Sequence, residues 1–183
     1  MKKRFLTFWI ILILSLIVLC GSLAEHLFAA NTEEEAYTIA VGLYNDGLID
    51  LARDQFKNFL EQFPDSSQGP YIQYLIGECD YRQKKYETAI QTYRKGITDY
   101  PGNLYIDQMV YKLGRSYFLS EEYRAAQRTF QEFIEKYPQS SQIQHAYYWM
   151  GESYFKRGKY REAAETFSQI TTQFPSYELL DYT

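Results

Sequence analysis

Residues 144–175 read QHAYYWMGESYFKRGKYREAAETFSQITTQFP, and the same pattern stands three times before them. Pro175 closes this stretch as Pro64, Pro101 and Pro138 close the earlier ones, each 37 residues after the last. Aligned on the prolines, Ile39-Ala40, Ile76-Gly77, Leu113-Gly114 and Met150-Gly151 coincide. So do Ala52, Ala89, Ala126 and Ala163, and then Phe56, Tyr93, Phe130 and Phe167. Self-similarity at a fixed period of this length is the mark of stacked supersecondary units.

Each unit has a helical period. In the second, Ile76, Gly77, Cys79, Asp80 and Tyr81 belong to a first helix, and Ala89, Ile90, Tyr93 and Ile97 recur at helical spacing on a second. The polar turn between them is Arg82-Gln83-Lys84-Lys85; its counterparts are Asn45-Asp46-Gly47, Ser120-Glu121-Glu122 and Arg157-Gly158-Lys159. Glycine inside a helix costs about 1 kcal/mol against alanine unless another helix needs the room, so Gly77, Gly114 and Gly151 predict close pairing within each hairpin. The alanines at 52, 89, 126 and 163 face back from the second helix. The prolines end the second helices, and Ser141 with Gln144 is expected to form a capping box opening the last hairpin.

These residues resemble the tetratricopeptide repeat family. Tyr147, Tyr148, Met150-Gly151, Tyr154-Phe155, Gly158, Tyr160, Ala163, Phe167 and Pro175 stand at its spacings, and the resemblance runs from Glu33 to Pro175. It implies an all-α fold, a right-handed α-solenoid of four hairpins over residues 33–69, 70–106, 107–143 and 144–180. The period departs from the family's usual 34, the three extra residues falling after each proline. This junction, behind an export signal, is similar to two exported bacterial groups: the lipoprotein that assembles outer-membrane proteins in the Bam complex, and the periplasmic coordinator of the Tol-Pal system. A poor lipobox counts against the first and a missing N-terminal coiled coil against the second.

The export signal is read from the residues themselves. Lys2, Lys3 and Arg4 precede an apolar run over residues 5–20, FLTFWIILILSLIVLC, then small residues, the order of a secretory signal. Ser22-Leu23-Ala24 favours cleavage after Ala24, with Ala29 as an alternative, leaving a short linker to residue 32. Residues 5–24 also reach the ~20 needed to span a bilayer, so an uncleaved anchor stays open. Either way the repeats are expected outside the cytoplasm, in the periplasm or envelope. Leu19 before Cys20 is bulky for a lipidation site.

Of 183 residues, 46% are hydrophobic and the net charge is −4, with the basic cluster confined to the N-terminus; a general nucleic-acid surface is not expected. Two cysteines and two histidines are too few for a Cys/His zinc site or a disulfide framework. No phosphate-binding or dinucleotide motif is present, so neither a cofactor nor a metal is expected and the chain reads as non-enzymatic. Cys79 reads as a small buried side chain, His145 lacks an evident catalytic partner, and acidic pairs such as Glu78 with Asp80 and Glu121 with Glu122 read as solvated charge. Lys112 reads as a surface position.

In the family resembled, the first helices line the inner, concave face. The resemblance therefore implies a partner-binding surface of Tyr37, Tyr44, Tyr74, Glu78, Tyr81, Arg82, Tyr111, Arg115, Phe118, Tyr148, Glu152, Phe155 and Lys156. Rings would supply rigid contact area and charges would set register for a peptide or helix; the same rings also suit helix packing. The leading expectation is a protein-interaction scaffold of the cell envelope, serving outer-membrane assembly or division. A cell-wall glycan module and the front of a longer array are the alternatives. The last reading rests on residues 176–183, SYELLDYT, which resemble earlier repeat junctions, and on Ala164, Phe167 and Ile170. On it, a further repeat, a partner or self-association covers the last hairpin.

Fractionation of the tagged chain is expected to find the repeats protected from protease in whole cells and cut once the outer membrane is opened. The mass of the mature N-terminus then separates cleavage after Ala24 from retention of residue 1.

Overall fold

The computed structural model describes residues 32–174, which form eight α-helices. The segment expected to direct export, Cys20, Pro175 and the expected further-repeat start at 176–183 lie outside the described residues. The helices are α1 Glu33–Asn45, α2 Ile49–Gln62, α3 Gly69–Arg82, α4 Tyr86–Asp99, α5 Ile106–Leu119, α6 Tyr123–Lys136, α7 Ile143–Lys156 and α8 Tyr160–Gln173. The chain divides into two units between Thr38 and Ile39, so α1 carries residues of both.

From Ile39 to Phe174 the architecture is an all-α solenoid of helical hairpins. Each described helix from α2 packs on the next, and α3 with α5 and α5 with α7 also touch, so the first helices of successive hairpins are direct neighbours. The second helices bury one stripe each: Ala52, Phe56 and Phe59; Ala89, Tyr93 and Gly96; Ala126, Phe130 and Phe133. The first helices are enclosed on more sides, as α3 shows by burying Ile72, Leu75, Ile76 and Cys79.

The glycines of the repeat hold the hairpins closed. A β-carbon on Gly77 would stand 2.3 Å from the Tyr93 ring, one on Gly114 2.7 Å from Phe130 and one on Gly151 2.5 Å from Phe167. These separations are shorter than any carbon contact allows, so the ring of the second helix fills the side-chain space of the first. The same rings meet a second aromatic: Tyr74 on Tyr93, Tyr111 on Phe130 and Tyr148 on Phe167, with centroids 5.9 to 6.4 Å apart.

The turns also repeat. Within the hairpins Gly47, Lys84, Glu121 and Gly158 all have positive φ. Lys84 N–H donates to the Tyr81 carbonyl and Lys85 N–H to that of Asp80, the double bond of a Schellman end. Two of the four turns thus hold a non-glycine residue in left-handed conformation. Between hairpins, α2, α4 and α6 stop at Gln62, Asp99 and Lys136, two residues before each proline, as its crowding of the preceding residue requires. The added turn residues are tied by a side chain at one repeat position. Ser66 Oγ accepts from Gln68 N–H, Asn103 Oδ1 from Tyr105 N–H and Ser140 Oγ from Gln142 N–H.

The capping box expected of Ser141 and Gln144 does not form. Helix α7 begins at Ile143 with no side-chain cap, and Ser140 serves the turn instead, its hydroxyl also donating to Asp107. Thr32 and Glu35 make the reciprocal pair, each accepting the other's backbone N–H at 3.3 and 3.2 Å.

Gly114→Leu is expected to lower stability by about 1 to 3 kcal/mol or more through the Phe130 ring. Lys84→Gly is expected to raise it by up to about 1 kcal/mol, relieving the left-handed strain. Thermal unfolding of the two variants checks both signs.

Candidate functional site

The thirteen residues expected on the inner face separate by what they touch. Tyr111 is 7% exposed and packs against Phe130, Phe133 and His145; it belongs to the core and not to an open groove. Glu78 is also 7% exposed, accepting from Tyr93 Oη at 2.5 Å and from Lys112 Nζ at 2.9 Å. Burial and then that carboxylate push the Tyr93 phenol well above its ordinary value.

Asp80 is fully buried, with Oδ1 2.5 Å from Arg53 Nε and Oδ2 accepting from Thr92 Oγ1 at 3.0 Å. One carboxylate thus ties α2, α3 and α4. Removing one partner of such a buried pair costs about 3 to 5 kcal/mol. Glu78 and Asp80 are therefore not solvated charge: neighbouring helices bring a donor to each. Lys112, read as a surface position, bridges two hairpins. Cys79 is fully buried, and desolvation pushes its thiol up to about 12, which makes it unreactive at neutral pH. Desolvation, with Arg115 second, lowers the pKa of His145.

The next group forms the contacts between successive first helices. The Lys112 ammonium lies between the Glu78 carboxylate and the Tyr81 ring, 4.7 Å above the ring centroid. One period later Trp149 lies between Arg115, whose guanidinium is 3.8 Å from the indole centroid, and Phe118, whose ring meets it edge-on at 4.9 Å. Cation and ring exchange places while the geometry is kept. The receiving ring is braced in the last three hairpins by the first residue of the second helix: Tyr81 by Tyr86, Phe118 by Tyr123 and Phe155 by Tyr160. Arg82 reaches back over the Tyr44 ring at 4.4 Å, and burial pushes the Tyr44 phenol up to about 12 against that pull.

Tyr37, Tyr74 and Tyr148 are half-buried, and Lys156 and Phe155 are exposed. Tyr74 is the centre of a cluster that sequence reasoning missed. The Tyr71, Tyr74 and Tyr105 rings meet with centroids 4.8 to 6.4 Å apart, two of the three pairs stacked, and each ring is half-buried. Tyr71 lies on α3 and Tyr105 at the start of α5. At their repeat positions the other units carry Gln108 and His145, and Gln68 and Gln142, so aromatics out of step with the repeat were the available signal. Among the described residues no group of His, Cys, Asp and Glu could hold a metal ion, and no helix is long and apolar enough to cross a membrane.

The chain is similar in fold to tetratricopeptide repeat structures. MamA residues 41 to the end from Desulfovibrio magneticus RS-1 superposes with a TM-score of 0.68 at 19% identity, over 82% of this chain and 80% of that one. A second MamA crystal structure gives 0.66 at 22%, over 84% and 80%. A tetratricopeptide repeat protein from Parabacteroides merdae ATCC 43184 gives 0.70 at 18%, over 81% of this chain and 56% of that one. No curated protein matches. A tetratricopeptide repeat model matches residues 37–103. A second model, YfiO, described as outer membrane lipoprotein, matches residues 74–179, more than half of the chain. The chain is thus a tetratricopeptide repeat protein and belongs to the YfiO outer membrane lipoprotein family.

Proposed function

We propose that this chain is a non-enzymatic scaffold of the bacterial cell envelope, delivered by its N-terminal segment and holding a partner protein against the first helices of its repeats. The observation that carries the reading is the Tyr71, Tyr74 and Tyr105 cluster. These three rings are spread over two hairpins, half-buried and rigidly packed against one another. Two of them break the repeat pattern, so packing common to all hairpins does not account for them. Tyrosine offers large contact area with few torsions to freeze and a hydroxyl for the partner's backbone. The neighbouring Tyr44 and Arg82 pair extends the surface toward the first hairpin. Family membership and the basic, apolar N-terminus support the envelope location, with outer-membrane assembly as the process that needs such a scaffold.

A glycan reading draws on the same cluster, since two of its ring pairs lie within 17° and 20° of parallel, an arrangement on which sugar rings also stack.

A photocrosslinking residue at Tyr105 in the full chain separates the two. Protein adducts in the envelope fraction, lost on Tyr74→Ala and untouched by excess purified peptidoglycan, are the expected result. Competition by peptidoglycan establishes the glycan reading, and adducts confined to the cytoplasm overturn the location.

A further inference from the structure

Among the described residues four cations are half-buried: Arg53, Lys112, Arg115 and Arg157. Three of them meet an oxygen, Arg53 on Asp80, Lys112 on Glu78 and Arg157 on the Gln127 carboxamide at 2.7 Å. Arg115 does not. Glu78 with Tyr81 and Arg115 with Phe118 each form a socket that the next first helix fills, Lys112 entering one and Trp149 the other. In the second socket the guanidinium lies over the indole, its Nε is buried without an acceptor, and no described carboxylate pairs with it. Arg82, exposed at the end of α3, is in the same state: it lies over the Tyr44 ring and has no carboxylate partner among the described residues. A ring face offsets part of the cost of holding such a charge and leaves the N–H groups of the fork, which match a carboxylate, without an acceptor.

Both guanidinium groups share a helix face with the tyrosine cluster. Tyr71, Tyr74, Glu78 and Arg82 follow one another on α3 at intervals of three, four and four residues, which is one side of a helix. Tyr105, at the start of α5, is followed at helical spacing by Lys112 and Arg115. The rings of Tyr71, Tyr74 and Tyr105 meet at the N-terminal ends of the two helices, and the unpaired cations stand toward the C-terminal ends. Between them Glu78 is already taken by Tyr93 and Lys112. With a rise of about 1.5 Å per residue, Arg82 lies about 12 Å along α3 from Tyr74, and Arg115 about 15 Å along α5 from Tyr105. An extended chain advances about 3.3 Å per residue, so about four of its residues cover either distance.

We propose, resting on the tyrosine surface assigned above as the partner's seat, that the partner presents an extended acidic segment. An apolar side chain of that segment sits on the Tyr71, Tyr74 and Tyr105 rings, and carboxylates about four residues away fall on Arg82 and Arg115. In a chain of net charge −4 the two guanidinium groups are a local feature, and negative charge is the complement that the described residues do not supply. The rings give contact area without discriminating among apolar side chains, while the two cations fix the register of the segment and exclude a basic one.

The test uses the full chain and two fluorescent peptides, SGFSGSEESG and the same sequence with both glutamates changed to glutamine. Binding is followed by anisotropy. The glutamate peptide is expected to bind about tenfold more tightly. That difference should shrink about threefold on Arg82→Gln and again on Arg115→Gln, vanish when both are changed, and persist on Lys57→Gln, which removes an exposed cation of α2. Arg82→Glu should turn the preference toward a peptide with lysines in place of the glutamates. Helical circular dichroism separates binding from folding, and Arg82→Gln, at an exposed position, carries the test where Arg115→Gln loses helix. Equal binding of the two peptides, still lost on Tyr74→Ala, overturns the acidic segment and leaves the tyrosine surface standing. Binding of neither peptide also overturns it, and the Tyr105 adducts decide separately whether a partner is held there. Displacement of the glutamate peptide by purified peptidoglycan assigns the cations to wall carboxylates, and self-association lost on Arg82→Gln assigns them to a second copy; each result overturns the proposal.

Discussion

The rings of Tyr93, Phe130 and Phe167 lie in the space that side chains at Gly77, Gly114 and Gly151 would need, and this exchange sets the spacing of the last three hairpins. A hairpin closed to that distance buries the alanine of its second helix, Ala89, Ala126 or Ala163, and leaves the remaining faces for the next hairpin. Interiors packed to crystal-like density transmit such a constraint, since no slack is available to absorb an added carbon. The ladder of Tyr74, Tyr111 and Tyr148 on those rings follows from the same placement. It accounts for Tyr74, Tyr93, Tyr111 and Tyr148 without reference to a ligand.

Between hairpins the constraint is looser and the chemistry varies. The socket geometry repeats while its contents change from ammonium on carboxylate and ring to indole under guanidinium. Complementarity is therefore settled pair by pair. At these two junctions each first helix meets a neighbour of matching chemistry, a cation on a carboxylate and ring in one and an indole under a guanidinium in the other.

Features fixed by one residue type at one position were legible in the sequence. The prolines located the ends of α2, α4 and α6, and the small residues at 77, 114 and 151 announced the close pairing. Features that depend on a residue 27 to 34 positions away were not. Glu78 and Asp80 look like any solvated acidic pair until Lys112 and Arg53 arrive from neighbouring hairpins. The left-handed turns at Lys84 and Glu121 were legible by period, through Gly47 and Gly158, but concealed by residue type. The tyrosine cluster escaped because attention to the repeat favours what recurs, and Tyr71 and Tyr105 do not recur. Ser141 matched a capping motif that the longer turn shifted out of place.

The two sockets respond to the surrounding solution in opposite ways. Lys112 keeps 25% of its side chain exposed, so dissolved ions weaken its hold on Glu78. The joint made by Trp149 is mainly apolar, and salts excluded from protein surfaces strengthen such burial. A salt excluded from protein surfaces, such as sulfate, therefore redistributes stiffness along the array, softening the junction of the second and third hairpins relative to that of the third and fourth. The place where the stack yields is thus set by the surrounding salt as much as by the chain.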